Sequence, residues 1–223
     1  MAAMNQPDPS STRDQLILAA GKLFSEQGFD SASTRAIAEA CGANLAAIHY
    51  HFGSKQALYQ AVLETVCRHH ASVFLAQDDP ASRPGVLDTP AGAAHAIRAR
   101  VRLLFAMLIG PAAIPWQAQL IFREMTQPSS QHNLIVEHLA APMHARWLAI
   151  HRHVRPHASE AEAQVWALHL PAMLRLLMTA RPTMQLIMGT KRLDDAFFAE
   201  AVRQTADAMI LLLHLPLPEE GAP

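Results

Sequence analysis

Three glycines, Gly28, Gly42 and Gly53, divide residues 12–75 into four short segments with the apolar spacing of helices. Ser11 or Thr12 is a suitable N-cap for the first segment. Apolar side chains then recur three and four positions apart, at Leu16, Ala19, Ala20, Leu23 and Phe24. Because glycine accepts the left-handed backbone in which helices commonly end, the first helix is expected to end at Gly28. This part of the chain is therefore predicted to fold as short helices joined by tight turns.

A pair of short helices is predicted on either side of Gly42. Ser33 or Thr34 is expected to cap the second helix, and the third is predicted over residues 44–52. A longer fourth helix is predicted over residues 55–75. Two short helices joined by a glycine-containing turn are characteristic of the helix-turn-helix motif.

A resemblance to the DNA-binding domain of the TetR family covers residues 12–63. It includes a G-F-x-x-x-S-T-R-x-I-A motif at 28–38 and an H-F-x-S-K motif at 51–55. Residues 41–59 are similar to the CecR-like branch, in which N-L-A-A-I-x-Y-H-F replaces the commoner S-K-G-x-L-Y-x-H-F. The resemblance implies an all-α protein with an N-terminal three-helix helix-turn-helix DNA-binding domain and a C-terminal helical regulatory and dimerisation domain.

Nine residues are predicted to contact DNA, from this resemblance and from the chemistry of their side chains: Thr34, Arg35, Asn44, Leu45, Ala46, His49, Tyr50, His51 and Lys55. A recognition helix presents its N-terminal and exposed side chains to base edges in the major groove. His49 and Tyr50 lie where family members place base and phosphate contacts, while His51 and Lys55 match phosphate-contacting residues of the family. Ala46 and His49 replace the commoner glycine and tyrosine, so the family's base preference does not carry over.

Several of these positions also have a purely structural interpretation. Leu45 either contacts thymine methyl groups or packs in a core, and His51 either contacts phosphate or packs against its neighbours. Thr34 caps a helix whether or not it also binds phosphate. Ile48 and Phe52, on the same predicted helix, are expected to be core residues.

The charge balance gives no support to DNA binding. The formal net charge is −1. Residues 1–70 carry five basic side chains against six acidic ones, so any DNA contact depends on local placement. A second interpretation therefore stays open, in which the chain is a helical small-molecule-binding or adaptor protein without specific DNA binding.

Helical patterns also dominate the rest of the chain. Proline and glycine predict a loop over residues 76–92. Helical stretches follow at about 91–109, 112–126, 131–154, 159–188 and 194–214, and Pro171 and Pro182 should kink or split the fourth of them. The predicted divisions are an N-terminal tail over 1–11, the DNA-binding domain over 12–60, a ligand-binding and dimerisation domain over 61–215, and a C-terminal tail over 216–223.

The C-terminal half resembles the regulatory domain of CecR-like proteins more loosely, through the segment LIFREMTQPS at 120–129. The resemblance implies that the last two helices pair with their equivalents in a second subunit. Two stripes are candidates for that interface, Val165, Leu168, His169, Ala172, Leu176 and Thr179 on one helix, and Phe198, Val202, Thr205, Ala206, Met209 and Leu213 on the other. Either stripe instead belongs to an internal core if the helices pack within one chain. A homodimer is expected because a palindromic operator mirrors two-fold symmetry.

Methionine is concentrated in the same half, with seven of the ten methionines between residues 107 and 188. Flexible, polarisable side chains suit a pocket for varied ligands, although they are also ordinary core fillers. Eight residues that combine aromatic area with orienting polar groups are the candidate pocket: Met107, Trp116, Phe122, Arg123, Trp147, His151, Met173 and Arg175. An ion pair between Arg123 and Glu124 is an equally open interpretation.

Enzymatic and cofactor-dependent functions are not indicated. The pairs His49/His51 and His151/His153 lie two positions apart in predicted helices, where the side chains point in opposite directions and cannot share a metal. No HExxH, phosphate-cradling glycine loop or G-x-S-x-G motif occurs. Two cysteines and no apolar leader or membrane span point to a cytoplasmic protein. The predicted function is a ligand-responsive transcriptional repressor that binds operator DNA, needs no cofactor and is released by a small-molecule effector.

Overall fold

The computed structural model describes residues 11–74, 79–110 and 113–218, and within these ranges the regular structure is helical throughout. The helices of the N-terminal segment are α1 (Thr12–Gln27), α2 (Thr34–Ala40), α3 (Leu45–Phe52) and α4 (Lys55–Phe74). They are followed by α5 (Pro90–Leu108), α6 (Pro115–Thr126), α7 (His132–Ile135), α8 (Ala141–Val154), α9 (Glu160–Thr179), α10 (Arg181–Ile187) and α11 (Asp195–Leu212). The all-α prediction is confirmed.

Local capping explains why the first four helices begin and end where they do. The side chains of Ser11, Ser33 and Asn44 each accept a hydrogen bond from a backbone N–H in the first turn of the helix that follows. Gly28 and Gly53 end α1 and α3 with φ of 86° and 76°, in the region that favours glycine. The predicted helix-turn-helix is therefore confirmed, with Ser33 rather than Thr34 as the cap of α2.

Two compact units are formed, and they do not coincide with the predicted division at residue 60. The first comprises Met1–Val73 and Pro111–Ala141, so α6 and α7 fold with the helix-turn-helix. The reason is the packing of α6 against α1, where the Trp116 ring lies directly over Gly21 and occupies the space that any larger residue's Cβ would need. Burial of Leu16, Phe24 and Leu120 completes this core.

The second unit comprises Phe74–Gly110 and Pro142–Pro223, with α5, α9 and α11 in mutual contact. Trp147 and Trp166 are both buried in its core, with ring centroids 5.8 Å apart in an edge-to-face arrangement. The predicted stretch 159–188 is split before Pro182, which lies in the first turn of α10, where a missing N–H costs little. Pro171, by contrast, lies inside a continuous α9.

Other segments differ from the predictions in detail. A π-helical turn, Val136–Ala140, interrupts the predicted stretch 131–154 between α7 and α8. The predicted loop over 76–92 contains two short 3-10 turns, Pro80–Ser82 and Val86–Asp88, in its described part. The predicted N-terminal tail lies outside the described residues except for Ser11.

The C-terminal tail is bound to the second unit where it is described. Leu215, just before the predicted tail, is buried, and the Pro218 carbonyl accepts a hydrogen bond of 3.1 Å from Arg98 Nη1. This hydrogen bond holds the beginning of the predicted tail against α5. Residues 219–223 lie outside the described ranges.

The two stripes predicted for the dimer interface differ in burial. The α9 stripe is exposed along its whole length. On α11, however, Thr205, Ala206, Met209 and Leu213 are buried within the second unit, where the helix packs on α5. For these residues the structure thus agrees with the internal-core alternative, and the large apolar side chains exposed on that helix are Leu211 and Leu212.

None of the described helices is both long enough and apolar enough to cross a membrane.

Candidate nucleic-acid interface

Helix α3 presents one side to the core of the first unit and the other to solvent. Ile48 is fully buried, as predicted, whereas the Tyr50 side chain is 85% exposed. Leu45 is 41% exposed, so it is not a core residue. Ala46 and His49 are exposed beside it, which leaves a face of small, apolar and hydrogen-bonding groups.

Asn44 caps the N-terminus of α3, next to this face. Its Oδ1 accepts a hydrogen bond of 3.0 Å from the Ala46 N–H, while the residue itself stays exposed. The cap occupies the carbonyl oxygen of the amide and leaves its NH₂ group as a donor. Asn44 can therefore cap α3 and donate to a base edge or a phosphate at the same time.

His49 is oriented by the end of its own helix. Its Nδ1 lies 3.1 Å from the Gly53 carbonyl oxygen, and since a carbonyl can only accept, Nδ1 carries the proton. In the neutral ring, Nε2 is then left as an acceptor. An acceptor in the major groove matches the exocyclic amino groups of adenine and cytosine.

The aromatic side chains next to His49 pack on one another. The Tyr50 and His51 rings lie edge to face with centroids 5.0 Å apart. His51 and Phe52 are each half-buried, and the Arg13 guanidinium lies 5.2 Å from the Phe52 ring centroid. The prediction of Phe52 as a core residue is therefore met only in part.

The cationic candidates are at the ends of neighbouring helices. Lys55 Nζ donates to the Asp30 carbonyl at 3.1 Å and lies 4.7 Å from the Phe29 ring centroid, which fixes it in the turn before α2. An ammonium group has three donors, so the remaining two can reach a phosphate. Arg35 is exposed and paired with Glu39 at 2.9 Å, and Thr34 is half-buried at the first position of α2.

Helix α6 binds the end of α1 through contacts that the sequence did not predict. Arg123 donates from Nε to the Ser25 carbonyl at 3.2 Å and from Nη2 to the Glu26 carbonyl at 2.9 Å. These carbonyls belong to the last turn of α1, where carbonyl groups have no N–H partner within the helix. Arg123 therefore acts as a cap for α1 and does not pair with Glu124.

Glu124 instead joins α6 to α4. Its Oε1 accepts a hydrogen bond from the Tyr59 hydroxyl, and its Oε2 accepts from the Ser129 N–H at 3.3 Å and the Ser129 hydroxyl at 3.1 Å. Burial, followed by the hydrogen bond and charge of Glu124, raises the pKa of Tyr59 above its ordinary value. The phenol therefore stays protonated and donates at all physiological pH values.

A buried histidine lies in the same unit. Burial, followed by the nearby His69, lowers the pKa of His70 to about 4, although a hydrogen bond with Gln117 opposes the shift. His70 is therefore neutral at physiological pH.

The eight candidate pocket residues are divided between the two units. Trp116, Phe122 and Arg123 are in the first unit, packed on or bonded to the helix-turn-helix core. The other five are in the second unit, where Met107 and Trp147 are buried and Met173 and Arg175 are exposed on α9. His151 lines a shallow cavity of about 420 Å³ together with Trp166, Val165 and Leu212. Of the five candidates in the second unit, His151 is the one that lines this cavity.

Comparison with known families gives two matches that together span most of the chain. Residues 16–62 match the family described as bacterial regulatory proteins, tetR family. Residues 93–213, more than half of the chain, match the C-terminal domain of the HTH-type transcriptional dual regulator CecR.

Individual relatives agree with these matches. The chain is 32% identical to the HTH-type transcriptional dual regulator CecR of Shigella flexneri over 60% of both chains. It is 41% identical to the HTH-type transcriptional regulator UidR of Escherichia coli K12 over 26% of this chain and 30% of that protein. The matches thus span less than two thirds of either relative, and both relatives are HTH-type transcriptional regulators.

Solved structures show the same fold. A putative transcriptional regulator from Pseudomonas aeruginosa PAO1 superimposes with a TM-score of 0.62 over 93% of this chain and 92% of that chain, at 21% sequence identity.

Proposed function

Because the chain belongs to the TetR family of bacterial regulatory proteins, in the branch with a CecR-type C-terminal domain, we propose that it is a ligand-responsive transcriptional repressor. It binds a palindromic operator as a homodimer, and a small-molecule effector releases it. The observation that carries the proposal is the solvent-facing side of α3, where Leu45, Ala46, His49 and Tyr50 are exposed around a buried Ile48.

Different residues are proposed to contact the bases and the phosphates of the DNA. His49, with Nε2 as an acceptor, and Asn44, with a free NH₂ group, are placed to read base edges, while Leu45 and Ala46 suit thymine methyl groups. Tyr50 extends from the same face.

The remaining candidates are placed for the DNA backbone. Lys55, Arg35, Thr34 and His51 flank the recognition face and fix its register through phosphate contacts. The near-neutral charge of residues 1–70 implies that such contacts are few, so the salt dependence of binding should be moderate.

Dimerisation is supported by the exposed stripe of α9. Val165, Leu168 and Leu176 are 59%, 54% and 51% exposed, and Leu211 and Leu212 add apolar surface on α11. Several large apolar side chains exposed along one face of a helix are characteristic of an interaction site. A second copy that covers it makes a self-complementary two-fold interface, and it places two recognition helices in major grooves about 34 Å apart.

Release by an effector requires a difference in affinity between two states. A small molecule lowers operator affinity only if it binds the DNA-free protein more tightly than the DNA-bound protein, and the ratio of these two ligand affinities equals the loss of DNA affinity.

An electrophoretic mobility shift with DNA from upstream of the protein's own gene tests this function, with salt and nonspecific competitor varied. A shift that resists competitor and weakens with salt is expected. His49→Ala and Tyr50→Ala should weaken specific binding more than nonspecific binding, whereas Lys55→Ala should weaken both and make the salt dependence shallower. Equal losses on all sequences for His49→Ala would remove that residue from the base-reading set. Absence of a specific shift with this DNA, together with no enriched sequence in a genome-wide selection, would favour the adaptor alternative.

A further inference from the structure

A cavity of about 620 Å³ lies within the second unit between α5, α11 and the segment that follows α11. Its volume falls in the range of small-molecule sites. None of the eight residues predicted from the sequence to bind a ligand lines it, whereas Val202, predicted to lie in the dimer interface, does.

One wall of the cavity is apolar. Phe105 and Ala106 on α5, Val202 on α11, and Leu217 and Pro218 on the C-terminal segment form it. The C-terminal segment is held in place by the hydrogen bond of 3.1 Å from Arg98 to the Pro218 carbonyl. This wall suits the hydrocarbon body of a ligand.

The lining of the cavity also carries an excess of positive charge. Arg98, Arg102 and Arg203 line the cavity, together with a single carboxylate, Asp207. Asp207 is already bonded through both oxygens, with Arg98 Nη2 at 2.7 Å and Arg203 Nη1 at 2.8 Å. Arg203 also bonds Glu200.

Two cationic donors remain without an acceptor among the residues that the structure describes. Arg102 is exposed and forms no ion pair there, and the Nε–H of Arg98 is buried without a hydrogen bond. A buried donor that lacks an acceptor is unfavourable, and an oxygen of a bound anion would satisfy it. Guanidinium groups also bind carboxylates and sulfonates through paired, charge-assisted hydrogen bonds.

We propose that this cavity binds organic anions that carry an aromatic or aliphatic body, with Arg102 and Arg98 holding the anionic group and the Phe105–Leu217 wall holding the body. Its use as the effector site rests on the proposed function, whereas the binding itself does not. The experiment therefore measures binding to the full chain in the absence of DNA.

Isothermal titration calorimetry with two matched pairs of probes tests the proposal: 2-naphthoate against 2-naphthamide, and octanoate against octanamide. At least one acid should bind at least about fivefold more tightly than its neutral amide. Arg102→Ala should weaken the acid about fivefold and leave the amide nearly unchanged, whereas Arg83→Ala, an exposed arginine outside the cavity, should alter neither. No preference for either acid, or equal losses in the two arginine variants, would overturn the proposal.

A second variant tests the location without removing charge. Ala106 is exposed at the rim, so Ala106→Trp fills the cavity with little disturbance of the core. It should abolish binding of both acid and amide, and binding that survives it would show that the probes bind elsewhere. Operator binding of ligand-free Arg102→Ala should equal that of wild type, which separates a failure of this site from a failure of the DNA-binding proposal.

Discussion

Tyr59→Phe isolates the hydrogen bond that joins α4 to α6. The ring stays packed on Phe24 and Phe29, at centroid distances of 4.8 Å and 5.0 Å, so no cavity forms. What is lost is the donor to Glu124 Oε1, in a carboxylate that is almost fully buried. Hydrogen bonds to charged groups contribute about 1.5–3 kcal/mol. Because Ser129 still donates twice to Oε2, the carboxylate keeps partners, and we expect a loss of about 2 kcal/mol in the free energy of unfolding.

Urea denaturation followed by circular dichroism measures this loss. Tyr50→Phe is the matched control, since it removes the same hydroxyl from an exposed side chain and should change stability by less than about 0.5 kcal/mol. The double variant Tyr59→Phe/Glu124→Gln should be less destabilised than the sum of its single variants, because the two residues share one interaction. A Tyr59→Phe protein as stable as the control, with additive single variants, would refute the assignment of this hydrogen bond.

Three further perturbations test other parts of the account. Gly21→Ala gains about 1 kcal/mol of helix propensity but forces a methyl group into the Trp116 ring. Because overpacking costs more than this gain, calorimetry should show a net loss of about 1–2 kcal/mol in the free energy of unfolding. His70 has a pKa of about 4 when folded against an ordinary value of 6.5, so the unfolded chain binds more protons between these values. Stability should therefore fall by up to about 3 kcal/mol as pH drops from 7 to 4, and His70→Asn should flatten this dependence; an unchanged pH profile would contradict it. Glu39→Gln frees Arg35 from its ion pair and should raise DNA affinity about two- to fivefold in anisotropy titrations at low salt, whereas weaker binding would count against Arg35 as a phosphate contact.

The helix-turn-helix was predictable because its signals are local. The cap at Ser11 and the glycine at 28 act within a few residues of the chain, so both ends of α1 agree with the prediction. Asn44, predicted as the first residue of the third helix, is instead its cap. The outward face of α3 follows from the same local information, since the position of Ile48 in the core fixes which side faces solvent.

The packing of α6 was not predictable because it depends on residues far apart in the chain. Gly21 looks like an unremarkable helix residue until Trp116 is placed over it. Arg123 has a side chain that suits a ligand-binding site, and only the fold shows that it lies within hydrogen-bonding distance of the Ser25 and Glu26 carbonyls.

Helix α11 shows a different limit of sequence periodicity. Both of its faces carry apolar residues, so spacing alone cannot distinguish the stripe that packs on α5, with Ala206 and Met209, from the one that stays exposed, with Leu211 and Leu212. On α9 the two faces are distinct, with Trp166 and Leu170 buried on one side and the stripe through Val165 and Leu168 exposed on the other, so its role as a dimer interface stays a prediction.

Selection of genomic DNA fragments by the full chain tests the central claim most directly. Fragments bound at physiological salt would be sequenced for wild type and for His49→Ala. The account predicts that wild type enriches a palindromic sequence whose half-sites lie about 34 Å apart, and that His49→Ala loses this enrichment while it still binds DNA nonspecifically. Enrichment of no sequence by the wild-type protein would contradict the assignment of α3 as a recognition helix.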